Sequence, residues 1–151
     1  MAPIVKHSAR AILIDDNDRL VLIKRTRPGR PVYWTTPGGR VEPDDRSLEE
    51  ALRRELHEEL GATAGLCQQV FLLSRPKDGG VRVQHIFVAR LTELDLTRRN
   101  GPEFEDPSRG RYDPDFIALH DESLAAIDLR PRALRDFILA NRDALLDAAG
   151  A

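Results

Sequence analysis

The stretch Leu48-Glu49-Glu50-Ala51-Leu52-Arg53-Arg54-Glu55-Leu56-His57-Glu58-Glu59-Leu60, closed by Gly61, decides how the rest of the chain is read. At about 100° per residue with Leu48 at zero, Leu52, Leu56 and Leu60 fall at roughly 40°, 80° and 120°, and Ala51 near 300°. Glu55, Glu58 and Glu59 fall at roughly 340°, 280° and 20°, inside or beside this apolar arc, while Glu50, Arg53, Arg54 and His57 take the remaining side. Three carboxylates therefore point inward. Acids three and four apart on a helix repel one another, and partial burial raises that cost. Something positive belongs among them, and a hard divalent cation such as Mg²⁺ relieves the repulsion while being itself a reagent. The competing reading is a surface helix whose charges pair internally, Glu49 with Arg53, Glu50 with Arg53 or Arg54, and Arg54 with Glu58. Charge spacing leaves the two readings level; the position of the acids on the apolar arc favours the metal.

Both ends of this helix are signalled. Ser47 with Glu50 three places on forms a capping box, and Gly61 stands where a left-handed C-terminal residue is wanted. Upstream, Ser8 to Ile14 and Leu20 to Arg25 are β-prone runs separated by the turn Asp15-Asp16-Asn17-Asp18-Arg19, and Val32 to Thr36 gives a third strand. Pro37-Gly38-Gly39 then breaks regularity. Downstream, Gln69 to Ser74 and Val81 to Leu91 read as strands joined by Lys77-Asp78-Gly79-Gly80, and Phe116 to Leu119 as a last short one. Thr92 to Pro114 reads as a long polar loop, a length that points to function more than to filler. A short helical piece near Glu122 to Ile127 precedes a helix from Pro131 to about Ala148. This order predicts a mixed sheet covered on both faces.

At 151 residues the chain suits one domain, with a core that needs no staple. Its net charge of −2 supplies no global basic field for a nucleic-acid backbone, so a polyanion must meet a local basic cluster. The single cysteine, Cys67, has no intramolecular disulfide partner, and Met1 to Lys6 lacks the apolar run of a signal peptide, which predicts a cytoplasmic protein. No window approaches a membrane span. His7, His57, His85 and His120 show no ligand spacing, and Trp34 reads as a packing residue.

The run from Gly39 through Ala62 resembles the signature of the Nudix hydrolases: glycine, five residues, glutamate, seven residues, then Arg-Glu-apolar-x-Glu-Glu-x-Gly-apolar. From Arg54 to Ala62 every defined place matches, with Leu56 and Ala62 as apolar members. The first half departs: Asp45 stands at the acid position, and eight residues separate it from Arg54. The added residue, near Asp44-Asp45-Arg46, precedes Ser47, so it lengthens a loop and leaves the helical phase intact. Trp34-Thr35-Thr36-Pro37-Gly38-Gly39 looks like the family's strand entering this box, and Leu129-Arg130-Pro131 looks like the start of its last helix.

The resemblance implies an α/β fold, an α/β/α sandwich with a mixed sheet, forming one domain over residues 1–151. It implies that Glu55, Glu58, Glu59 and the Gly39 carbonyl bind Mg²⁺ or Mn²⁺ and that Arg54 orients a metal-binding glutamate. The implied reaction is attack by water on a phosphorus of a nucleoside diphosphate linked to another group. Glu58, then Glu103, are the candidate general bases, with Glu105 behind them. Lys24, Arg25, Arg27 and Arg30 make a basic cluster, from which Arg27, together with Arg40 beside the metal loop, is the expected phosphate contact. Phe104 and Tyr112 are either base-stacking residues or packing of their own loop. The implied partner is a small nucleotide or nucleotide derivative, the substrates in view ranging from ADP-ribose and nucleotide sugars to ordinary or oxidised nucleoside triphosphates; dimers also occur in the family. Two rivals stand beside this: a non-catalytic Nudix-fold binding or regulatory module, and an enzyme of RNA 5′ ends, which net acidity disfavours.

Overall fold

The computed structural model describes residues 2–150, which form a mixed eight-stranded sheet with helices on both faces; the two chain ends of the expected domain lie outside them. The strands are β1 (Ile4–Ile14), β2 (Arg19–Thr26), β3 (Tyr33–Thr35), β4 (Gly38–Arg40), β5 (Ala62–Lys77), β6 (Gly80–Leu94), β7 (Arg111–Ala118) and β8 (Leu129–Arg130). The helices are α1 (Leu48–Leu60), α2 (Ser123–Ala126), α3 (Arg132–Ala140) and α4 (Arg142–Ala149). Among the described residues no helix is long and apolar enough to cross a membrane.

Period-two alternation along β1 sorts the core into two layers. Ile12 and Ile14, with Leu22, Ile86 and Val88, pack under Leu124, Leu134, Ile138 and Leu145 of α2, α3 and α4. Ala9, Ala11 and Leu13, with Val21, Ile23 and Phe87, pack against Ala51, Leu52, Leu56 and Leu60 of α1. The apolar arc of α1 is thus the one its sequence predicts, and so are its bounds, although of the capping box only the Ser47 half forms among the described residues. Ser47 Oγ accepts from the Glu50 N–H at 3.0 Å, and Gly61, at φ 61°, donates its N–H to His57 O at 2.8 Å. A Cβ on Gly61 would also stand 1.8 Å from Asp95 O, so glycine is required there twice over.

The sheet splits where the site forms. β7 runs along one edge of β2 from Arg19 to Thr26. On the other edge β1 pairs with β2 at Ile14 and Leu20, and β3 takes over at Ile23 to Arg25. β1 therefore peels away, and β4 fills its free edge with Gly38 opposite Arg10 and Gly39 opposite Ala9. A Cβ on Gly38, at φ 139°, would stand 2.3 Å from Ala9 O. The glycine pair is expected to interrupt regular structure; it forms a strand instead, and at Gly38 only backbone without a side chain fits so close to β1.

Other boundaries moved for tertiary reasons. β5 and β6 run 16 and 15 residues, far beyond the expected segments, around Asp78 and Gly79, both at positive φ. The stretch expected as one loop from Thr92 to Pro114 begins and ends in strand, with three short 3₁₀ turns between, at Leu96–Arg98, Pro102–Glu105 and Pro107–Arg109. Leu129-Arg130, expected to start the last helix, pairs in parallel with Trp34 and Thr35. That helix is two pieces broken at Asn141, whose Nδ2 donates to Phe137 O at 2.8 Å and competes with the helical ladder.

Candidate active site

Arg54 organises the acids. Its Nε and Nη2 donate to the two oxygens of Asp45 at 3.0 and 2.8 Å, Nη2 also reaches Arg40 O at 3.0 Å, and Nη1 donates to Glu55 Oε1 at 3.0 Å and Glu58 Oε2 at 3.2 Å. The helical wheel placed Arg54 on the solvated side; its long side chain instead folds back and is only 23% exposed. Asp45 earns its place in the lengthened loop: one oxygen accepts from the Glu42 N–H at 2.8 Å, and the Arg54 hydrogen bonds hold its carboxyl below the ordinary range. The inserted residue is thus absorbed in the Glu42–Asp45 turn without disturbing α1.

Glu59 lies behind this network, 9% exposed, with Oε1 accepting from the Gly38 N–H at 3.1 Å. Burial pushes its carboxyl up to about 7, against the pull of the Arg10 guanidinium and the Gly38 N–H. Burial also raises Glu55, with Arg54 opposing. Arg10, whose Nη1 donates to Thr36 O at 2.8 Å, is the second positive charge here, and sequence reasoning passed over it. Its signal was present: one arginine on the strand face otherwise carried by Ile12 and Ile14.

The segment after β6 is tied to the C-terminal turn of α1, whose carbonyls have no helical partner. The N–H groups of Asn100 and Gly101 both donate to Glu58 O at 3.1 Å, that of Asp95 to Gly61 O at 3.0 Å, and Arg99 Nε to Glu59 O at 2.7 Å. These bonds deliver Glu103 to the cluster, close enough to push the carboxyls of Glu55 and Glu59 upward. Glu105 stays exposed and is not brought in. Phe104 meets Tyr112 edge-on at 5.8 Å, and Arg99 and Arg25 cover these two rings, so both aromatics pack the segment itself.

The expected phosphate contacts are dispersed. Arg27 packs beside Gly110 and makes no hydrogen bond or ion pair with the acids among the described residues. Arg40 is exposed, and its carbonyl serves Arg54. Lys24 lies over Trp34 at 5.7 Å, while Trp34 Nε1 donates to Asp115 at 2.8 Å as a packing residue would. His57 is exposed.

Glu55, Glu58, Glu59 and the Gly39 carbonyl are hard oxygen donors, the set that suits Mg²⁺ or Mn²⁺. A Cβ on Gly39 would stand 2.6 Å from the Glu55 carboxylate, so glycine is what lets backbone and acid share this space. As the side chains stand, no three acids among the described residues converge on one point, because Arg54 lies between Glu55 and Glu58 and Glu59 turns to Gly38. The residues present fit a divalent cation in kind and in neighbourhood.

Comparison with known proteins bears on this arrangement. A family model described as NUDIX domain matches residues 5–131. A Bacillus subtilis (strain 168) protein provisionally named 8-oxo-dGTP diphosphatase is 34% identical over 148 residues, covering 83% of this chain and 95% of that protein. The Mus musculus 8-oxo-dGDP phosphatase NUDT18 is 30% identical over 102 residues, covering 68% of this chain but 30% of that longer protein. Among solved structures, a NUDIX hydrolase from Nitrosomonas europaea shares the fold with a TM-score of 0.70 and 17% identity, over 92% of this chain and 88% of that one.

Proposed function

Because the chain belongs to the Nudix hydrolase family, we propose that it is a Mg²⁺-dependent enzyme, with Mn²⁺ as the alternative ion, that hydrolyses the phosphoanhydride bridge of a nucleoside diphosphate joined to a further group. The observation that carries this reading is the Arg54 network, which holds Glu55 and Glu58 together while Glu59 stands buried against Gly38.

Glu55, Glu58, Glu59 and the Gly39 carbonyl would hold the cation. When bound, it neutralises the pyrophosphate, polarises the phosphoryl oxygens and lowers the pKa of the attacking water. Arg54 fixes the directions of two of the three carboxylates, and Asp45 in turn fixes Arg54. Glu58 takes the proton from water as its oxygen attacks phosphorus; the bridging P–O bond breaks and the leaving phosphate keeps the bonding pair. Glu103, carried in by the segment after β6, is the second candidate for this proton. Arg27 and Arg40 belong to the proposal as outer phosphate contacts that a bound substrate would have to draw in.

The names of the relatives put oxidised guanine nucleotides in the substrate panel beside ADP-ribose, dinucleotides and nucleotide sugars. The deciding experiment is Mg²⁺-dependent turnover across that panel, with products identified by mass and ¹⁸O-labelled water locating the phosphorus attacked. Nucleotide binding without hydrolysis across the whole panel would instead make the chain a binding module.

A further inference from the structure

Beyond Ile12 and Ile86 the sheet face that α3 and α4 cover runs on uncovered, and its character inverts from apolar to basic. Across β5, β6 and β1 the register places Arg75 opposite Arg82 and Arg82 opposite Lys6, a row of three cations on adjacent strands. One row inward Leu73, Gln84 and Ser8 align, and the next holds Phe71, Ile86 and Arg10. A cleft of about 330 Å³ opens over these rows, lined by Arg10, Tyr33, Arg75, Arg82, Gln84 and Arg130, with no acidic residue in its wall among the described residues.

Like charges directly opposite in a sheet repel. Arg75 and Arg82 make no ion pair or side-chain hydrogen bond among the described residues, and Arg130 alone of the arginines on the rim is paired, with Asp128 at 2.9 Å. Lys6 feels partial burial first and then Lys77, Arg82, Arg40 and Arg10, all of which hold its ammonium below the ordinary value. Gln84, only 5% exposed, lines the cleft with no side-chain hydrogen-bond partner among the described residues. Its amide atoms are not sealed from solvent, so they can exchange water in the cleft for a ligand oxygen. One aromatic ring lines the cleft, and Tyr33 is already covered by the Arg130 guanidinium at 4.3 Å, so the walls suit an anion better than a base. Arg10 joins this cleft to the carboxylates, since it also feels Glu59 and Glu55.

We propose that the cleft receives a phosphate group that the substrate carries in addition to the anhydride being cut, so that the favoured substrates are nucleotide derivatives bearing a further phosphate. The proposal rests on the hydrolase reading given above. Its test has two arms, each run with wild type and with Arg75→Ala/Arg82→Ala. In EDTA, calorimetry with inorganic tripolyphosphate should show binding to wild type that weakens about tenfold or more in the double variant. With Mg²⁺, kcat/KM for ADP-ribose 2′-phosphate should exceed that for ADP-ribose by about tenfold in wild type, and the ratio should fall toward one in the double variant. Equal tripolyphosphate affinity in both proteins overturns the site. Altered affinity with an unmoved ratio overturns its role toward substrate and leaves a site for free anions. If neither compound is hydrolysed, the cleft's role toward this class of substrate is overturned, while the hydrolase reading stays with the wider nucleotide panel and calorimetry still decides whether the cleft takes phosphate. Removing two repelling charges should leave the ligand-free melting temperature unchanged or higher, which separates lost binding from lost folding.

Discussion

The molecule holds two crowded arrays of like charge, one acidic on α1 and one basic across β5, β6 and β1, and they are balanced in opposite ways. The acids carry their counter-ions with them: Arg54 bridges Glu55, Glu58 and Asp45, and Arg10 faces Glu59. The row Arg75, Arg82 and Lys6 has no acid of its own among the described residues. Removing a member of the first array should therefore unbalance a network, whereas removing a member of the second should relieve strain. The comparison also suggests a division of labour, in which a preformed network positions chemistry and an unneutralised one waits for an anion.

The largest effect expected from breaking the acidic array is catalytic. Glu58→Gln should lower Mg²⁺-dependent turnover by about 10²- to 10⁴-fold with the far-ultraviolet circular dichroism spectrum retained, and Glu103→Gln should lower it less. Full activity in Glu58→Gln would remove Glu58 as the base; a deeper loss in Glu103→Gln would transfer the role.

Stability should respond next. Arg54→Ala leaves Asp45, Glu55 and Glu58 without their shared cation and should cost about 3 kcal/mol in urea unfolding of the metal-free protein. An unchanged unfolding midpoint would show that the acids repel less than their spacing demands.

Glu59 behaves in the opposite sense because its burial outweighs its partners. Its folded-state value of about 7 lies above the ordinary 4.5, so the folded protein holds this proton more tightly than the unfolded chain. The associated stability is full below pH 4.5 and is lost as pH rises through 7. Without divalent cation, Glu59→Gln should flatten this dependence and stabilise the protein at pH 8 by about 2 kcal/mol. A retained slope would assign the dependence to another group.

The smallest effect sharpens the contrast. Arg82→Ala should leave the ligand-free protein unchanged or more stable by about 0.5 kcal/mol, because it deletes one repulsive cross-strand pair on each side. A clear loss of stability would mean that the row is held by contacts of its own.

Legibility followed the range of the interactions. Ser47, Gly61 and the apolar arc of α1 were readable because caps and helical faces are set by residues within four positions of one another. The spacing of Arg54 to Glu58, four places on, was readable in the same way, although it fitted a surface ion pair as well, and the pairing with Glu55 was not read from spacing. Its fold-back over the acids was not readable, since the wheel records where a Cβ points and not where a guanidinium ends. Arg10 was overlooked as one polar residue in an apolar strand, and its meaning depends on Glu59, which a different element supplies. The basic row escaped altogether, for Lys6 and Arg82 become neighbours only through a parallel pairing that no local pattern encodes.

By itself, then, the amino-acid order determined the existence of α1, its bounds and the crowding of three acids upon it, because an α-helix converts spacing along the chain directly into position in space. Tertiary structure alone decided that β1 would part from β2, that Gly38 and Gly39 would enter the opening, and that Glu103 would be carried to the acids. Strand pairing and the docking of a segment onto free helix carbonyls join residues far apart along the chain, and only the balance of the whole packed molecule selects among the registers available to them.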